Sequence, residues 1–227
     1  NWYYMNGGNA CVPVVFWGII NRGGEQAAQH SQALHGLFAH IPGLKVVMPS
    51  KAYDAKGLMI ASIRDDNPVV FIDDRCLYGV EDEVPEKIYE VSIGKAAVRR
   101  DGSDVTIVAN SYMAYLAEKA TKVLANKGIE AEMIDLRTIK PLDKELILAS
   151  VRKTGRLVVA DSGWRSFGIA AEIEALVFEE AFSYMKALPV RVTLPDVPAP
   201  ASSSLEKAYY PTEQHIIKAV QKIMSHT

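Results

Sequence analysis

Short runs of β-branched and aliphatic residues alternate with stretches of helical periodicity along nearly the whole chain. A run such as Val105-Thr106-Ile107-Val108-Ala109 has no polar face, so a strand built from it must be covered by helices on both sides of its sheet. Strand–helix–strand units with a largely parallel sheet follow. In the first part the spacing predicts strands over 12–17, 44–48 and 69–73 and helices over 25–40 and 54–64, with the tail of a helix ending at Gly7-Gly8 before them. After Asp73-Asp74-Arg75, the acidic and proline-containing run 79–86 reads as an irregular linker, and the alternation then restarts. Strands are expected over 105–109, 129–134, 157–160 and 190–193. Helices are expected over 111–127, with Ser111 as N-cap and Gly128 as stop, and over 143–153, 167–182 and 212–224. The stretch 195–204, rich in proline and serine, reads as a surface loop. The expected architecture is α/β, with doubly wound, mostly parallel sheets in two consecutive domains, 1–88 and 89–227.

Composition narrows the function. With 49% hydrophobic residues among 227, the chain has ample core. A formal net charge of −2 leaves no electrostatic footprint for nucleic acid or an anionic membrane. No apolar run has the length to span a bilayer and no secretory signal is visible, so a soluble chain is expected in the cytoplasm, or in the mitochondrial matrix of a eukaryote. Cys11 and Cys76 lack metal-ligand spacing and fit a reducing compartment. The sequence has no glycine-rich phosphate loop, Ser-His-Asp order or CxxC pair.

The run Gln26-Ala27-Ala28-Gln29-His30-Ser31-Gln32 places an imidazole just past a glycine turn, Gly23-Gly24. Ala27, Leu34, Leu37 and Ile41 recur at helical spacing, and His30 falls on their stripe. A titratable ring on an apolar face is either a core histidine satisfied by a hydrogen bond or a group at work in a site. Glu25, upstream, reads as a carboxylate complementing a helix N-terminus, or as a partner for His30. His35 turns away from that stripe, and His40 sits in the last turn, where a cation offsets the helix dipole. His30, His35 and His40 share no helical face, so no zinc site is expected. Arg137-Thr138-Ile139-Lys140-Pro141 follows a strand and offers cations at a sheet's carboxyl edge, with solvated charge or subunit packing the plainer reading. Trp164, flanked by glycine, is a candidate interface anchor or a core residue.

Several runs occur in a recognisable order: Val12-Pro13-Val14-Val15-Phe16, AAQHSQ, Ile41-Pro42-Gly43-Leu44-Lys45-Val46-Val47, Ser62-Ile63-Arg64-Asp65-Asp66-Asn67-Pro68-Val69-Val70, Asp135-Leu136-Arg137-Thr138-Ile139-Lys140-Pro141 and Gly163-Trp164. Over essentially all 227 residues the chain resembles the beta subunit of thiamine-diphosphate-dependent 2-oxo acid dehydrogenases, the pyruvate dehydrogenase type especially. The resemblance implies a transketolase-like pyrimidine-binding domain followed by a transketolase C-terminal domain. It also implies further residues upstream, truncated or on another chain, including the glutamate that contacts the aminopyrimidine ring. The implied cofactor is thiamine diphosphate with magnesium, shared with an alpha subunit. A second beta subunit and a dihydrolipoyl acyltransferase core are the other implied partners. The implied reaction is oxidative decarboxylation of a 2-oxo acid with acyl transfer to lipoamide.

Within that resemblance His30 matches the active-site histidine, near C2 of the cofactor, steadying an oxyanion or moving a proton during acyl transfer. Val14, Ser62, Ile63, Asp65 and Asn67 match the ligands of a structural potassium ion. From the residues alone, Ser62 to Asn67 simply cap a turn before Pro68. Many relatives carry arginine or proline where Trp17-Gly18-Ile19-Ile20-Asn21-Arg22 stands, which leaves the 2-oxo acid open among pyruvate, first, and branched-chain acids, or acetoin. Two other readings stand beside this one: a non-catalytic assembly or docking fragment, and another transketolase-like enzyme such as transketolase or deoxyxylulose phosphate synthase. The AAQHSQ and SIRDDNPVV runs favour the dehydrogenase group, and the chain by itself is expected to be inactive.

Overall fold

A computed structural model describes residues 1–20 and 23–225; Asn21 and Arg22, part of the strand exit singled out above, lie outside the described residues. The first half comprises α1 (Trp2–Met5), β1 (Val15–Ile20), α2 (Ala27–His30), α3 (His35–His40), β2 (Lys45–Val47), α4 (Ala52–Ile63) and β3 (Val69–Asp74). The helix expected over 25–40 is broken. Glu25 and Ala27 have φ of 58° and 56°, in the left-handed region, and 31–34 is not helical. The break shifts the helical phase, so the face turned inward carries Ala33, His35 and Ala39, while Leu34, Leu37 and Ile41 stay exposed. His30 therefore does not lie on a buried apolar stripe.

The second half comprises β4 (Ala97–Arg100), β5 (Val105–Ala109), α5 (Ser111–Ala125), β6 (Ala131–Asp135), β7 (Thr138–Lys140), α6 (Lys144–Thr154), β8 (Leu157–Trp164), α7 (Ile169–Ala181), β9 (Val190–Leu194), α8 (Ser203–Tyr209) and α9 (Glu213–Met224). Three elements go beyond the sequence reading: β4 and β7, too short to carry a period of two, and α8, which begins inside the expected loop 195–204. Ser111 is the first helical residue of α5, with φ of 47°, and Asn110 takes the N-cap position in its place.

The strands form two sheets, in the orders β1-β3-β2-β7 and β4-β6-β5-β8-β9. Pairing is parallel except where β7 meets β2 and where β4 meets β6. β5 and β6 are buried along their whole length, as a strand covered on both faces must be. One face of the second sheet packs on α5 and α9 through Leu116, Leu124, Ile216 and Val220. The other packs on α6 and α7 through Ile147, Val151, Ile173 and Val177, in a core continuous with Val46, Met48, Val70 and Ile72 of the first sheet. The two halves thus share one hydrophobic core, and β7, from the second half of the chain, closes the edge of the first sheet.

The opposite face of the first sheet, with Val47, Val69 and Phe71, is covered by α4 and by Val91 of the segment joining the halves. That segment crosses close to α4 at Gly57, where a Cβ would stand 2.5 Å from Val91 Cγ2 and 2.9 Å from its backbone nitrogen. β1 is the first sheet's outer strand and leaves Phe16, Trp17 and Ile19 largely exposed.

Candidate functional site

In a wound parallel sheet the strands deliver side chains to the sheet's carboxyl edge, and the loops that leave that edge build sites. β1 and β3 run side by side to Ile20 and Asp74. Trp17 Nε1 donates to Asp73 Oδ2 at 2.7 Å. Burial pushes the Asp73 carboxyl above its ordinary value, against the lowering effect of hydrogen bonds from Trp17 and Tyr78. Arg75, just beyond β3, donates to Gln26 Oε1 at 3.3 Å and so reaches the start of the histidine segment. His30 ends α2 with its side chain exposed, its Nε2 3.3 Å from Gln29 Nε2. The ring faces solvent and is not walled into an interior. Upstream, the Glu25 amide donates to both carboxylate oxygens of Glu206 on α8, at 3.0 and 3.2 Å. It is the backbone of Glu25 that is engaged here, in the left-handed conformation, and α2 begins only beyond it.

His35, given little weight above, has the more elaborate environment. It is 1% exposed, and its Nε2 lies 2.8 Å from Asp161 Oδ1. Asn110 Nδ2 donates to the same oxygen at 2.7 Å, and the Ser162 amide donates to Asn110 Oδ1 at 3.2 Å. Asn110 follows β5, and Asp161 lies within β8 one residue past its last pairing with β5 at Ala160; from these adjacent strands the chain leaves toward opposite sides of the sheet. Such a switch point is where wound sheets open a crevice, and here α3 fills it. Burial would raise the Asp161 pKa, but the charge of His35 and hydrogen bonds from His35, Asn110 and the Gly163 amide outweigh it and hold the carboxyl below its ordinary value. Glycine at position 163 suits this approach, since a Cβ there would lie 3.0 Å from His35 Cε1 and 3.1 Å from Asp161 Oδ2, closer than most side chains pack. His35 Nδ1, Ser111 Oγ and Ser162 Oγ are buried without a hydrogen-bond partner among the described residues. Sequence reasoning missed His35, Asn110, Asp161 and Glu206. A usable signal was present in Asn110 and Asp161, each a polar side chain directly after a run of β-branched and aliphatic residues, 105–109 and 157–160.

The five residues matched to a potassium site are brought to one corner. Val12 donates its amide to Asp66 O at 2.9 Å, and Val69 donates to Val14 O at 3.0 Å, which lays the approach to β1 along the turn after α4. Ser62 is buried; its Oγ donates to Leu58 O at 2.6 Å and its carbonyl accepts from Asp65 N at 3.3 Å. Asp65 Oδ1 accepts from Asn67 N at 2.9 Å, and Oδ2 pairs with Lys45 Nζ. Ile63 points its side chain outward. The donors are all oxygens, and each carbonyl keeps a second lone pair, so the set suits a hard monovalent ion.

Arg137 is neither solvated nor offered at a sheet edge. Its Nη1 donates to Asp54 Oδ1 at 3.1 Å, and Nε and Nη2 donate to the carbonyls of Lys95 and Ala96, both at 3.0 Å. Arg99 completes the clamp by pairing with Asp54 and, at 2.8 Å, with Asp135. Trp164 is an internal contact: its Nε1 donates to Tyr209 Oη at 3.0 Å and Val197 O at 3.1 Å, and its ring packs with Leu194 and Ala199.

Comparison with known proteins adds a second line of observation. Residues 2–80 match the model of the transketolase pyrimidine-binding domain, and residues 94–216 match that of the transketolase C-terminal domain. A pyruvate dehydrogenase E1 component subunit beta from Rickettsia felis is 48% identical over 221 residues, covering 97% of this chain and 68% of that protein. An acetoin:2,6-dichlorophenolindophenol oxidoreductase subunit beta from Cupriavidus necator is also 48% identical, covering 97% of this chain and 65% of its own length. The chain thus spans about two thirds of the curated relatives it matches. Among solved structures, one titled split gene transketolase, inactive beta4 tetramer, superposes with a TM-score of 0.78 at 27% identity, covering 98% of this chain and 71% of the other.

Proposed function

The chain belongs to the family of beta subunits of thiamine-diphosphate-dependent 2-oxo acid dehydrogenases, and from that premise we propose that it serves pyruvate oxidation, with His30 as the residue that handles protons during acyl transfer to lipoamide. One observation carries this reading: His30 stands exposed at the carboxyl edge of a parallel sheet, on a segment fastened at both ends. When bound, thiamine diphosphate supplies the electron sink for loss of carbon dioxide. His30 Nε2 accepts from the Gln29 side-chain amide at 3.3 Å and is the basic ring nitrogen that can take up a proton and pass it to an oxygen or sulfur of the reacting acyl group. Trp17, fixed by Asp73, and Arg75, held to Gln26, line the same end of the sheet and orient what enters there.

We assign the residues that hold magnesium and the diphosphate to the alpha subunit; the described residues contain no group of three His, Cys, Asp or Glu side chains able to hold a metal ion. A second beta subunit and the acyltransferase core are the other proposed partners. The exposed Phe16, Ile19, Leu34 and Leu37 support burial of this face in an assembly. No helix of the described residues is long and apolar enough to cross a membrane. Two cysteines in 227 residues, without metal-ligand spacing and with Cys11 an exposed free thiol, support a reducing compartment: the cytoplasm of a bacterium or the mitochondrial matrix of a eukaryote.

In the enzyme assembled with its alpha subunit, His30→Ala is expected to lower acyl transfer to lipoamide by about 10²- to 10⁴-fold while the assembly stays intact. Transfer at the normal rate would remove His30 from the mechanism. Turnover measured in parallel on pyruvate, acetoin and a branched-chain 2-oxo acid tests the substrate assignment, which fails if pyruvate is not the best of the three. We also propose that Val14, Ser62, Ile63, Asp65 and Asn67 hold a structural potassium ion. The thermal midpoint of the assembly should then rise with potassium over lithium at equal ionic strength, and Asp65→Ala should abolish the difference.

A further inference from the structure

The segment that carries His30 is fastened at both ends by the second half of the chain, with the 3.3 Å bond from Arg75 to Gln26 a further contact from its own half. At the upstream end the Glu25 amide gives its hydrogen to the carboxylate of Glu206, which is 7% exposed on α8. At the downstream end His35 is held by Asp161 at 2.8 Å, itself fixed by Asn110. What lies between has little means of holding its own shape. α2 is a single turn with no buried residue and no side-chain cap, and one isolated turn does not repay its nucleation cost. Only Ser31 and Ala33 of the stretch 31–34 face inward. Glu25 and Ala27 occupy the left-handed region, where a Cβ is disfavoured, so their conformation is imposed from outside. Glu206 sits at that point.

We propose that Glu206, His35 and Asp161 are positioning residues for His30, so that the C-terminal half of the chain sets where the imidazole stands. Neither carboxylate touches the reacting groups. Each fixes one end of a span whose exposed residue does the work, and a misplacement of about 1 Å at such a residue can cost about 10²-fold in rate. The inference rests on the reading of His30 given above.

The test uses the assembled enzyme with Asp161→Asn and Glu206→Ala, and Glu206→Gln as the variant that restores one acceptor. Each of the first two is expected to lower kcat for acyl transfer by about 10- to 100-fold with KM for pyruvate within about twofold, and Glu206→Gln should recover most of the loss. Amide hydrogen exchange over 27–34 should quicken at least about tenfold, with β5 and β8 unchanged. In a His30→Ala background Asp161→Asn should cause no further loss, because its effect passes through the missing ring. Wild-type kcat and exchange in both variants would overturn the proposal, as would a full additional loss in the His30→Ala background. If Asp161→Asn fails to assemble, Glu206→Ala carries the same test from the other end. Normal transfer by His30→Ala itself would defeat the functional reading, and the exchange arm would still decide whether the two tethers hold the segment.

Discussion

Two buried polar junctions join the halves of this chain, and they are finished to different degrees. In the first, Asp54, Arg99, Asp135 and Arg137 satisfy one another almost completely. Both oxygens of Asp54 are paired, Asp135 accepts from Arg99, Ser50 and the Arg137 amide, and the rest of the Arg137 fork goes to carbonyls. In the second, His35, Asp161 and Asn110 form a tight core, but His35 Nδ1, Ser111 Oγ and Ser162 Oγ remain without partners among the described residues. A saturated junction gains its value from not moving. A buried group with unused hydrogen-bonding capacity calls for a partner outside the protein chain, such as a water molecule. The second junction lies one short span from His30, and the first anchors α4 and the joining segment.

The largest expected effect breaks the saturated junction. Asp54→Ala leaves two guanidinium groups facing each other in a largely buried position, and removing one partner of such a pair costs about 3–5 kcal/mol. Urea unfolding should show a loss of that size without a large change in the slope of the transition. A loss under about 1 kcal/mol would mean that the clamp behaves as an exposed ion pair and that the contrast between the junctions is unfounded.

A smaller effect sharpens the comparison through pH. Asp161 titrates below its ordinary value, so its contribution is present above that value and is lost as pH falls through the lower folded pKa. Asp135 is shifted the other way: burial raises it against the pull of Arg99, so its contribution is greatest below the unfolded pKa and declines as pH rises through the folded one. Acidification from about pH 6 to about pH 3 should therefore weaken the His35 junction and relieve the Asp135 one. Denaturation series over that range should show a shallower acid-side fall for Asp161→Asn and a steeper one for Asp135→Asn. Parallel curves for the two variants would show that the carboxylates do not differ in the way their surroundings require.

Much of the architecture was legible because burial on both faces leaves a trace in local composition. β5 was bounded correctly at 105–109, and α9 was placed within a residue of its start, its N-cap Thr212 marking the turn. β4 and β7 were not legible, since three or four residues hold too little of a period, and β7 earns its place by pairing with β2. The proposed site was legible in part. His30 was singled out through its neighbours in sequence, and the other reason given for it, a place on an apolar stripe, does not hold, since the ring is exposed. The same error in phase hid His35: a continuous helix over 25–40 would have turned it outward, and the break at 31–34 turned it in.

Sequence alone determined which segments must be buried strands, which are amphipathic helices, and which family of proteins the ordered motifs belong to, because each is a property of residues close together in the chain. Tertiary structure decided which histidine faces solvent and which is locked away, that Arg137 turns into a clamp, and that one half of the chain holds the segment of the other that carries His30. Those outcomes depend on pairings such as His35 with Asp161, 126 residues apart, and Glu25 with Glu206, 181 apart. No local periodicity carries information over such distances; only the packing of two sheets onto a common core brings those groups within hydrogen-bond range.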